Sequence, residues 1–417
     1  MALRQLSSRV LQCCRSHLRA GQGFQHQTAG FDQTDPVIDR RSRRLRTAVL
    51  GIPVLPPGWL TRIVFRLRAL ASWAHRSTAP PSLRVVETML SILDNRALSL
   101  LVELGIPDLV SRPQTADELA SATGTDTTNL QRLLRYSTSR GLLRLDRHGK
   151  YQATPQLQIL RSDQINPWTG WVSMAGSDWF WGALRHLDGP LRDPSISGLE
   201  SASGHDFYEF VRRVRPDAGD AFNAAMQAGS TIQGVALASS LRWSATDKVC
   251  DVGGGTGAAL EMLLGAHPHL EATLFDLPEV VAKTRPALRS GPLASRCQIV
   301  GGDFFDSVPA GASRYLMLRI VNAWNDDRAR TILRVVANAL PPDGRIVLIE
   351  HVLPDKPRNE LTFASDFMMM ALLGKERTIS QYHSLFESAG LRIDGETLLS
   401  TGATAFELEA STPSEDG

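Results

Sequence analysis

A short glycine-rich segment in the second half of the chain places the strongest constraint on how it can fold. Residues 248–252 have the apolar pattern of a buried strand, residues 253–257 read Gly-Gly-Gly-Thr-Gly, and an apolar helical stretch follows. Glycines allow a tight turn and let a ligand approach bare backbone at the start of a helix. The next predicted strand ends at Asp276, whose carboxylate can accept hydrogen bonds from ribose hydroxyls. These features predict a Rossmann-like α/β fold.

Strand and helix patterns alternate through the rest of this half of the chain. The predicted elements are strands at 297–300, 314–321, 345–352, 391–399 and 403–410, and helices at 279–289 and 327–340. Such alternation predicts a doubly wound, mostly parallel sheet. The last two strands follow each other closely, so we expect the last strand of the sheet to be reversed.

The glycines by themselves leave the ligand open. Gly253, Gly255 and Ala258 also match the dinucleotide pattern G-x-G-x-x-A. Asp251, directly before the glycines, suits a ligand that carries an ammonium group better than one that presents a pyrophosphate there. Residues 302–304, Gly-Asp-Phe, follow the third strand and can offer a carboxylate and an aromatic edge to an adenine.

Residues 84–160 predict a winged helix-turn-helix. Thr115 and Glu118 form a capping-box pattern, Asp126 can cap the next helix, and a hairpin turns at residues 147–149. A DNA-binding protein would use Arg132, Arg135 and Arg140 on phosphates, but winged helices also join subunits. The first 86 residues hold 14 arginines, no lysine and 3 aspartates, so the rest of a chain with a net charge of +2 is acidic. That charge distribution weighs against DNA binding, and these residues alone leave both roles open.

Residues 1–83 form a basic leader to which we assign no role. Its first 31 residues contain arginines and no acid, as a mitochondrial transit peptide does, and a tail without function is the alternative. Segment 59–76 predicts a basic amphipathic helix. Packing on the protein itself or on a second subunit is favoured over contact with an anionic membrane.

The middle region, residues 161–245, is predicted to be helical. It carries an aromatic group made of Trp168, Trp171, Trp179, Phe180, Trp181, Phe207, Tyr208, Phe210 and Phe222. Aromatic residues at helical spacing usually form core, but next to a cofactor motif some of them can line an apolar substrate cavity. The four cysteines have no metal-ligand spacing and suggest a reducing, cytoplasmic location.

Residues 84–410 together resemble the small-molecule O-methyltransferase family of plants, fungi and actinobacteria. The matching segments are DVGGGTG (251–257), FDLPEVV (275–281), GDFFDSVP (302–309), WNDDRARTIL (324–333), PDGRIVLIEHVLPD (342–355) and DFMMMALLGKERT (366–378). The resemblance implies a homodimer, S-adenosylmethionine (SAM) as cofactor, no nucleic-acid partner, and methyl transfer to a hydroxyl of a hydrophobic aromatic or polyketide-like small molecule.

The resemblance also implies a division of the chain and a set of site residues. The expected parts are the leader (1–83), a winged-helix dimerisation domain (84–160), a helical linker and substrate-pocket region (161–245), a SAM-binding domain (246–410) and a tail (411–417). The expected cofactor-binding residues are Asp251, Gly253, Gly255, Gly257, Asp276, Leu277, Asp303, Phe304 and Arg319. No metal is expected.

One position departs from the family pattern. Family members commonly carry a histidine base after the fourth strand, and here Asn322 takes its place. An amide cannot accept a proton at neutral pH. Glu350 and Glu376 are the remaining catalytic candidates, and either could act as a base if burial raises its pKa. His351 follows Glu350 and by strand alternation points to the opposite face.

Two alternatives to methyl transfer follow from these features. The first is a SAM-binding enzyme of the same fold that catalyses an elimination, a decarboxylation or a pericyclic reaction, and Asn322 is its main motive. The second is a SAM-sensing regulator that binds DNA through the winged helix.

Overall fold

The computed structural model describes residues 55–164, 166, 168–356 and 361–411. The transit-peptide resemblance of the first 31 residues and most of the expected tail lie outside the described residues. The first described part contains α1 (Gly58–Thr78), α2 (Pro81–Glu103), α3 (Ile106–Leu109), α4 (Ala116–Thr123), α5 (Thr127–Ser139), β1 (Leu143–Leu145), β2 (Tyr151–Ala153) and α6 (Pro155–Gln158).

The winged helix forms as its caps predict. Glu118 N–H donates to the Thr115 hydroxyl, while Thr115 N–H donates to the Glu118 carboxylate, and both bonds fix the start of α4. Asp126 accepts from Asn129 N–H at 2.8 Å and caps α5. β1 and β2 pair as an antiparallel wing. Leu101, from the C-terminal half of α2, belongs to the apolar core of this part.

A helical region follows the winged helix. It consists of α7 (Thr169–Gly176), α8 (Asp178–Arg185), α9 (Asp188–Arg192), α10 (Gly198–Ser203), α11 (Phe207–Glu209), a π-helical turn (Phe210–Val214) and α12 (Pro216–Ser240). Trp179, Phe180 and Phe210 are buried in one apolar cluster, so part of the aromatic group is core. None of the helices in the described part of the chain combines the length and apolar character needed to cross a membrane.

The last part of the chain forms the main sheet and its covering helices. It consists of β3 (Lys248–Val252), α13 (Ala258–Ala266), β4 (Glu271–Asp276), α14 (Pro278–Val281), α15 (Pro286–Arg289), a 3₁₀ turn (Ala294–Arg296), β5 (Cys297–Gly301), β6 (Arg314–Leu318), a 3₁₀ turn (Val321–Ala323), α16 (Asp326–Asn338), β7 (Arg345–Glu350), β8 (Val352–Leu353), α17 (Leu361–Met369), β9 (Arg377–Thr378), α18 (Ile379–Ser388), β10 (Leu391–Leu398) and β11 (Thr404–Ala410).

The main sheet has seven strands in the order β10-β11-β7-β6-β3-β4-β5. The five strands from β7 to β5 are parallel, and β11 runs antiparallel to both of its neighbours. Val249 and Leu316 pack on the face covered by α12 and α13, whereas Cys250 and Met317 pack on the face covered by α16 and α18. The predicted doubly wound α/β sheet with a reversed last strand is confirmed.

Three predicted elements differ in their bounds. The strand predicted at 314–321 ends at Leu318, because Arg319 takes a left-handed conformation with φ 58°. The helix predicted at 279–289 is two short helices, because Arg285 is held extended before Pro286. The strand predicted at 345–352 stops at Glu350, and the two residues of β8 pair with β9 instead.

Candidate active site

The expected site residues gather at one edge of the sheet. Parallel strands end at the same edge, and β3, β4, β5, β6 and β7 all deliver their carboxyl ends there. All cofactor candidates except Arg319 lie at or directly after the ends of β3, β4 and β5. Arg319 and the three catalytic candidates lie after β6, at the end of β7 or in the loop before β9.

The glycine loop is fixed against β4. Gly253 N–H and Gly254 N–H both donate to the carbonyl of Phe275, at 2.8 and 3.2 Å. Gly253, Gly255 and Gly257 all have positive φ, which glycine adopts without strain. At Gly254 a Cβ would lie 2.6 Å from a carboxylate oxygen of Asp251, so the loop backbone lies directly against that side chain.

Asp251 is the most unusual group at this edge. Its side chain is buried, and neither carboxylate oxygen has a hydrogen-bond partner in the described structure. Burial, with a contribution from the charge of Asp276, raises the pKa of Asp251 to about 7. A buried carboxylate without a partner is costly, and a ligand ammonium would remove that cost. The residue therefore fits the ammonium group of SAM.

The next two expected acids differ in burial. Asp276 accepts from Gly255 N–H at 2.8 Å and from Leu277 N–H at 2.7 Å, which fixes its carboxylate beside the glycine loop. Burial raises the pKa of Asp276. Asp303 is exposed and accepts from the N–H of the second residue after it. Phe304 is half-buried and lies over Gly253.

An aromatic group beside Phe304 escaped the sequence analysis. The Trp324 ring stacks on Tyr208, with centroids 5.4 Å apart and planes 10° apart, and meets Phe305 edge-on at 4.9 Å. The Arg328 guanidinium lies over Trp324 at 4.5 Å. The tryptophan stands in one of the matching segments and Tyr208 in the aromatic group of the middle region, but no sequence signal pairs the two.

Tyr208 belongs to a segment that crosses to the sheet edge. We call residues 206–215, which include the π-helical turn, the strap. Within it, Arg212 pairs with Glu279 of α14 at 2.9 Å, directly after the Asp276 loop. The strap therefore forms one wall of the cofactor cleft.

Arg319 lies between the two carboxylates expected to be catalytic. Its Nη1 donates to Glu350 at 3.1 Å and to Glu376 at 2.9 Å, and its Nη2 donates to Glu376 at 2.6 Å. Both glutamate side chains are fully buried. Ser365 donates a further hydrogen bond to Glu376 at 2.8 Å. The arginine, expected at the cofactor, thus forms a buried ionic cluster with the two glutamates.

The two carboxylates differ in proton affinity. Burial would raise the pKa of Glu376, but the hydrogen bonds and charge of Arg319 outweigh it, and the pKa of Glu376 is lowered. For Glu350, burial prevails over the charge of Arg319 and raises the pKa to about 7. Of the two glutamates, only Glu350 thus has the raised pKa that a carboxylate base requires. Its oxygens, however, already accept hydrogen bonds from Arg319 and from two backbone N–H groups.

Asn322 is held rigidly in the turn after β6. Its N–H donates to Glu350 at 3.3 Å, its carbonyl accepts from Lys375 N–H at 2.8 Å, and the buried Arg377 donates to two carbonyls of the same turn. Its side chain is 4% exposed, and Oδ1 has no partner in the described structure. A buried amide oxygen without a donor is suited to accept a hydrogen bond from a bound molecule.

His351 does not follow the strand alternation that the sequence suggests. β7 ends one residue earlier, and His351 is half-buried within electrostatic reach of both Arg319 and Glu376. Burial, followed by the charge of Arg319, lowers its pKa to about 4. The imidazole is therefore neutral at pH 7 and a weak base.

An apolar wall lies at the junction of the helical region and α17. Phe207, Phe222, Met226, Met368 and Met370 are partly buried in one cluster. Backbone hydrogen bonds from residues 198 and 199 to residues 370 and 371, each 3.0 Å, join the two parts of the chain. Gly374, in the loop after α17, lies against the carbonyl of Asn322, so this loop links the cluster to the turn that carries the asparagine.

Fold and site together define a class of protein. A Rossmann-like sheet, a glycine loop, a buried unpaired carboxylate at the loop and a second acid after the next strand are the features of a SAM-binding enzyme of the class I methyltransferase fold. The residues present fit SAM, because Asp251 lacks the cation that its burial requires.

Comparison with known proteins makes the class specific. Residues 86–161 match the model of the O-methyltransferase dimerisation domain, and residues 186–392 match that of the O-methyltransferase domain. The mitomycin biosynthesis 6-O-methyltransferase of Streptomyces lavendulae is 33% identical, over 72% of this chain and 86% of the relative. The 3-amino-4-hydroxybenzoate 4-O-methyltransferase of Streptomyces cremeus is 31% identical, over 76% and 87%.

The solved structure of a similar enzyme contains the cofactor. It is the crystal structure of an O-methyltransferase from neocarzinostatin biosynthesis, in complex with SAM and 2-hydroxy-5-methyl naphthoic acid. Its TM-score is 0.64 and its sequence identity 29%, and the match covers 76% of this chain and 96% of the chain of that structure. The present chain belongs to the O-methyltransferase family and is a SAM-dependent O-methyltransferase. The predicted family, cofactor and reaction are confirmed.

Proposed function

We propose that this enzyme methylates a hydroxyl of a hydrophobic, aromatic or polyketide-like small molecule. The observation that carries the proposal is the cluster of phenylalanines and methionines at the junction of the helical region and α17, whose following loop reaches the buried Asn322. Aromatic side chains and adaptable thioethers suit a flat apolar acceptor. The names of the relatives support the same class, since they specify aminohydroxybenzoate and mitomycin chemistry.

Incubation with SAM and a panel of phenols, naphthols and polyketide-type hydroxyaromatics tests this proposal. We expect release of S-adenosylhomocysteine and products heavier by one methylene for flat apolar phenols, and no turnover of sugars or aliphatic alcohols of similar size. Methylation confined to polar, non-aromatic hydroxyls would contradict the proposed acceptor class.

We assign different site residues to different parts of SAM. Bound SAM supplies a methyl group on a positively charged sulfur, open to in-line attack by an oxygen. We assign its ammonium to Asp251 and its ribose to Asp276, with backbone contacts from Gly253, Gly255, Gly257 and Leu277. We assign the adenine to Asp303 and Phe304, with Trp324 beside them. Arg319 contributes by fixing the two glutamates.

We propose that positioning supplies most of the catalysis. Holding an acceptor oxygen about 3 Å from the methyl carbon can contribute several orders of magnitude in rate. Asn322 Oδ1 would accept the hydrogen bond of the acceptor hydroxyl and so aim its oxygen. Since the amide cannot take a proton, the hydroxyl proton would be released to solvent as the methyl group is transferred. Glu350 and Glu376, tied to Arg319, would act as positioning residues that hold the turn carrying Asn322.

Substitution of Asn322 separates positioning from base catalysis. We expect Asn322→Ala to lower kcat/KM by about 5- to 150-fold, the 1–3 kcal/mol of a stranded hydrogen-bonding partner. Asn322→His would restore a base and should raise the rate on phenols of high pKa. The matched control is Asn338→Ala, on the exposed end of α16, which should leave kinetics unchanged.

Glu376→Gln tests the alternative that this glutamate is the catalytic base. A positioning role predicts a lower kcat with an unchanged shape of the pH–rate profile. Loss of an acidic limb in Glu376→Gln, together with full activity in Asn322→Ala, would make the glutamate the base and overturn the assignment.

We further propose that the enzyme is a homodimer joined through the winged helix, with no nucleic-acid partner. The family match to a dimerisation domain supports this, as does the engagement of Arg140 by Asp94 at 2.6 Å. We expect light scattering at micromolar concentration to give twice the 45.6 kDa chain mass. A 45.6 kDa species, or a shift of random duplex DNA at low salt, would contradict the proposal.

We also propose a division of the chain and a location in the cell. We keep the division at residues 84, 161 and 246 as a working division of the chain. Cytoplasmic location is supported by Cys250 and Cys297, which are both free thiols. Burial raises the pKa of Cys250 to about 12 and that of Cys297 to about 11, so neither thiol is reactive at neutral pH.

A further inference from the structure

Helix α1 is attached to the cofactor domain by its first two turns. Gly58 lies so close to the carbonyl of Leu398 that a Cβ would not fit. The buried Thr61 hydroxyl donates to the carbonyl of Ser400 at 2.9 Å, and the Phe65 ring packs on Gly402. These residues follow one another at helical spacing, so one face of α1 is seated on the turn between β10 and β11.

The seated face is the less apolar side of the helix. Trp59, Ile63, Leu67, Leu70 and Trp73 recur at helical spacing on the other side, and all are exposed, with Trp59 at 64% and Leu67 at 61%. Helix α1 also carries four arginines and no acidic residue. Seating on the turn therefore presents an ordered apolar stripe, interrupted by the exposed Arg66, that no residue of the described chain covers.

The stripe is continuous with the dimerisation domain. Only Ala79 and Pro80 separate α1 from α2, whose N-terminal half exposes Leu83, Val86, Met89, Leu90 and Leu93. The C-terminal half of α2 is instead buried in the winged helix. The family's dimerisation model begins at residue 86, within the exposed half of α2 and after the end of α1.

We propose that α1 is a dimerisation arm whose apolar stripe lies on a second copy of this chain. Exposed apolar surface that runs on from a dimerisation domain is most simply covered by the same partner. The charges agree, because the basic arm would meet a chain that is acidic beyond its first 86 residues. The arm adds to the interface that the family shares, and the inference rests on the homodimer proposed above.

Single charge substitutions in the full-length protein test the arm. Leu67→Glu places a charge at an exposed apolar position of the stripe, and His75→Glu, the matched control, adds the same charge outside the stripe. Both side chains are exposed, so folding should be unaffected, which thermal melting verifies. The readout is the dimer dissociation constant from sedimentation velocity, or the subunit-exchange rate of labelled dimers.

We expect Leu67→Glu to raise the dissociation constant or the exchange rate about 10-fold or more, and His75→Glu to change either by less than about 2-fold. Equal dissociation constants and exchange rates in the parent protein and both variants would overturn the proposed dimerisation arm and leave the homodimer intact. A monomeric parent protein would instead refute the homodimer. Unchanged dimers combined with parent binding to phosphatidylglycerol vesicles that Leu67→Glu abolishes would assign the stripe to a membrane and overturn the proposal.

Discussion

Asp251→Asn is expected to weaken SAM binding by about 30-fold or more. Truncating one partner of a buried charge pair costs about 2–5 kcal/mol, and the amide cannot neutralise the cofactor ammonium. Asp251 has no other hydrogen-bond partner in the described structure, so the substitution breaks no existing contact. Isothermal titration calorimetry with SAM and with S-adenosylhomocysteine measures the effect.

The pH dependence and a matched control accompany this prediction. Because burial raises the pKa of Asp251 to about 7, the carboxylate must lose a proton before it pairs with an ammonium, and affinity should rise between about pH 5.5 and pH 7. Asp303→Asn, the same change at an exposed carboxylate, should cost less than about 10-fold. Equal affinities in Asp251→Asn and the parent would remove Asp251 from the cofactor site.

Arg319→Leu is expected to lower the free energy of unfolding by about 3–5 kcal/mol, because it leaves two buried carboxylates without their cation. The arginine is 23% exposed, whereas both glutamate side chains are fully buried. Urea denaturation and thermal melting measure the loss. Arg215→Leu is the control, since Arg215 also bonds two aspartates, but both are largely exposed, and it should cost less than about 1 kcal/mol.

Acid should partly rescue Arg319→Leu. Without the arginine, the pKa values of Glu350 and Glu376 rise above the ordinary value of 4.5, and for Glu350 the parent value is already about 7. Groups with raised pKa values bind protons on folding, so stability falls as pH rises through this range. The deficit against the parent should therefore be smaller at about pH 5 than at about pH 8. A deficit independent of pH would mean that the carboxylates are not its cause.

The parts of the fold that the sequence predicted correctly are those determined by residues close together in the chain. The glycine loop, the Thr115 capping box and the buried strand β3 depend on residues near one another in the chain, and they were predicted correctly. The end of β6 was wrong by three residues, since the left-handed Arg319 follows from its pairing with Glu350 and Glu376. No local pattern carries that information.

The site shows the same limit. The sequence named both glutamates and Asn322, but it could not show that one arginine ties the carboxylates together and lowers the pKa of Glu376. Nor could it bring Tyr208 onto Trp324, because their segments are far apart in the chain and meet only through packing of the helical region on the sheet.

Tyr208 and Phe207 are neighbours in the strap, and each belongs to a region assigned above to a different ligand. The Tyr208 ring stacks on Trp324, whereas Phe207 packs in the apolar cluster with Phe222. If the two ligands bind as proposed, their sites share one short segment of backbone. Any effect of the acceptor on cofactor affinity must then be matched by an equal effect of the cofactor on acceptor affinity.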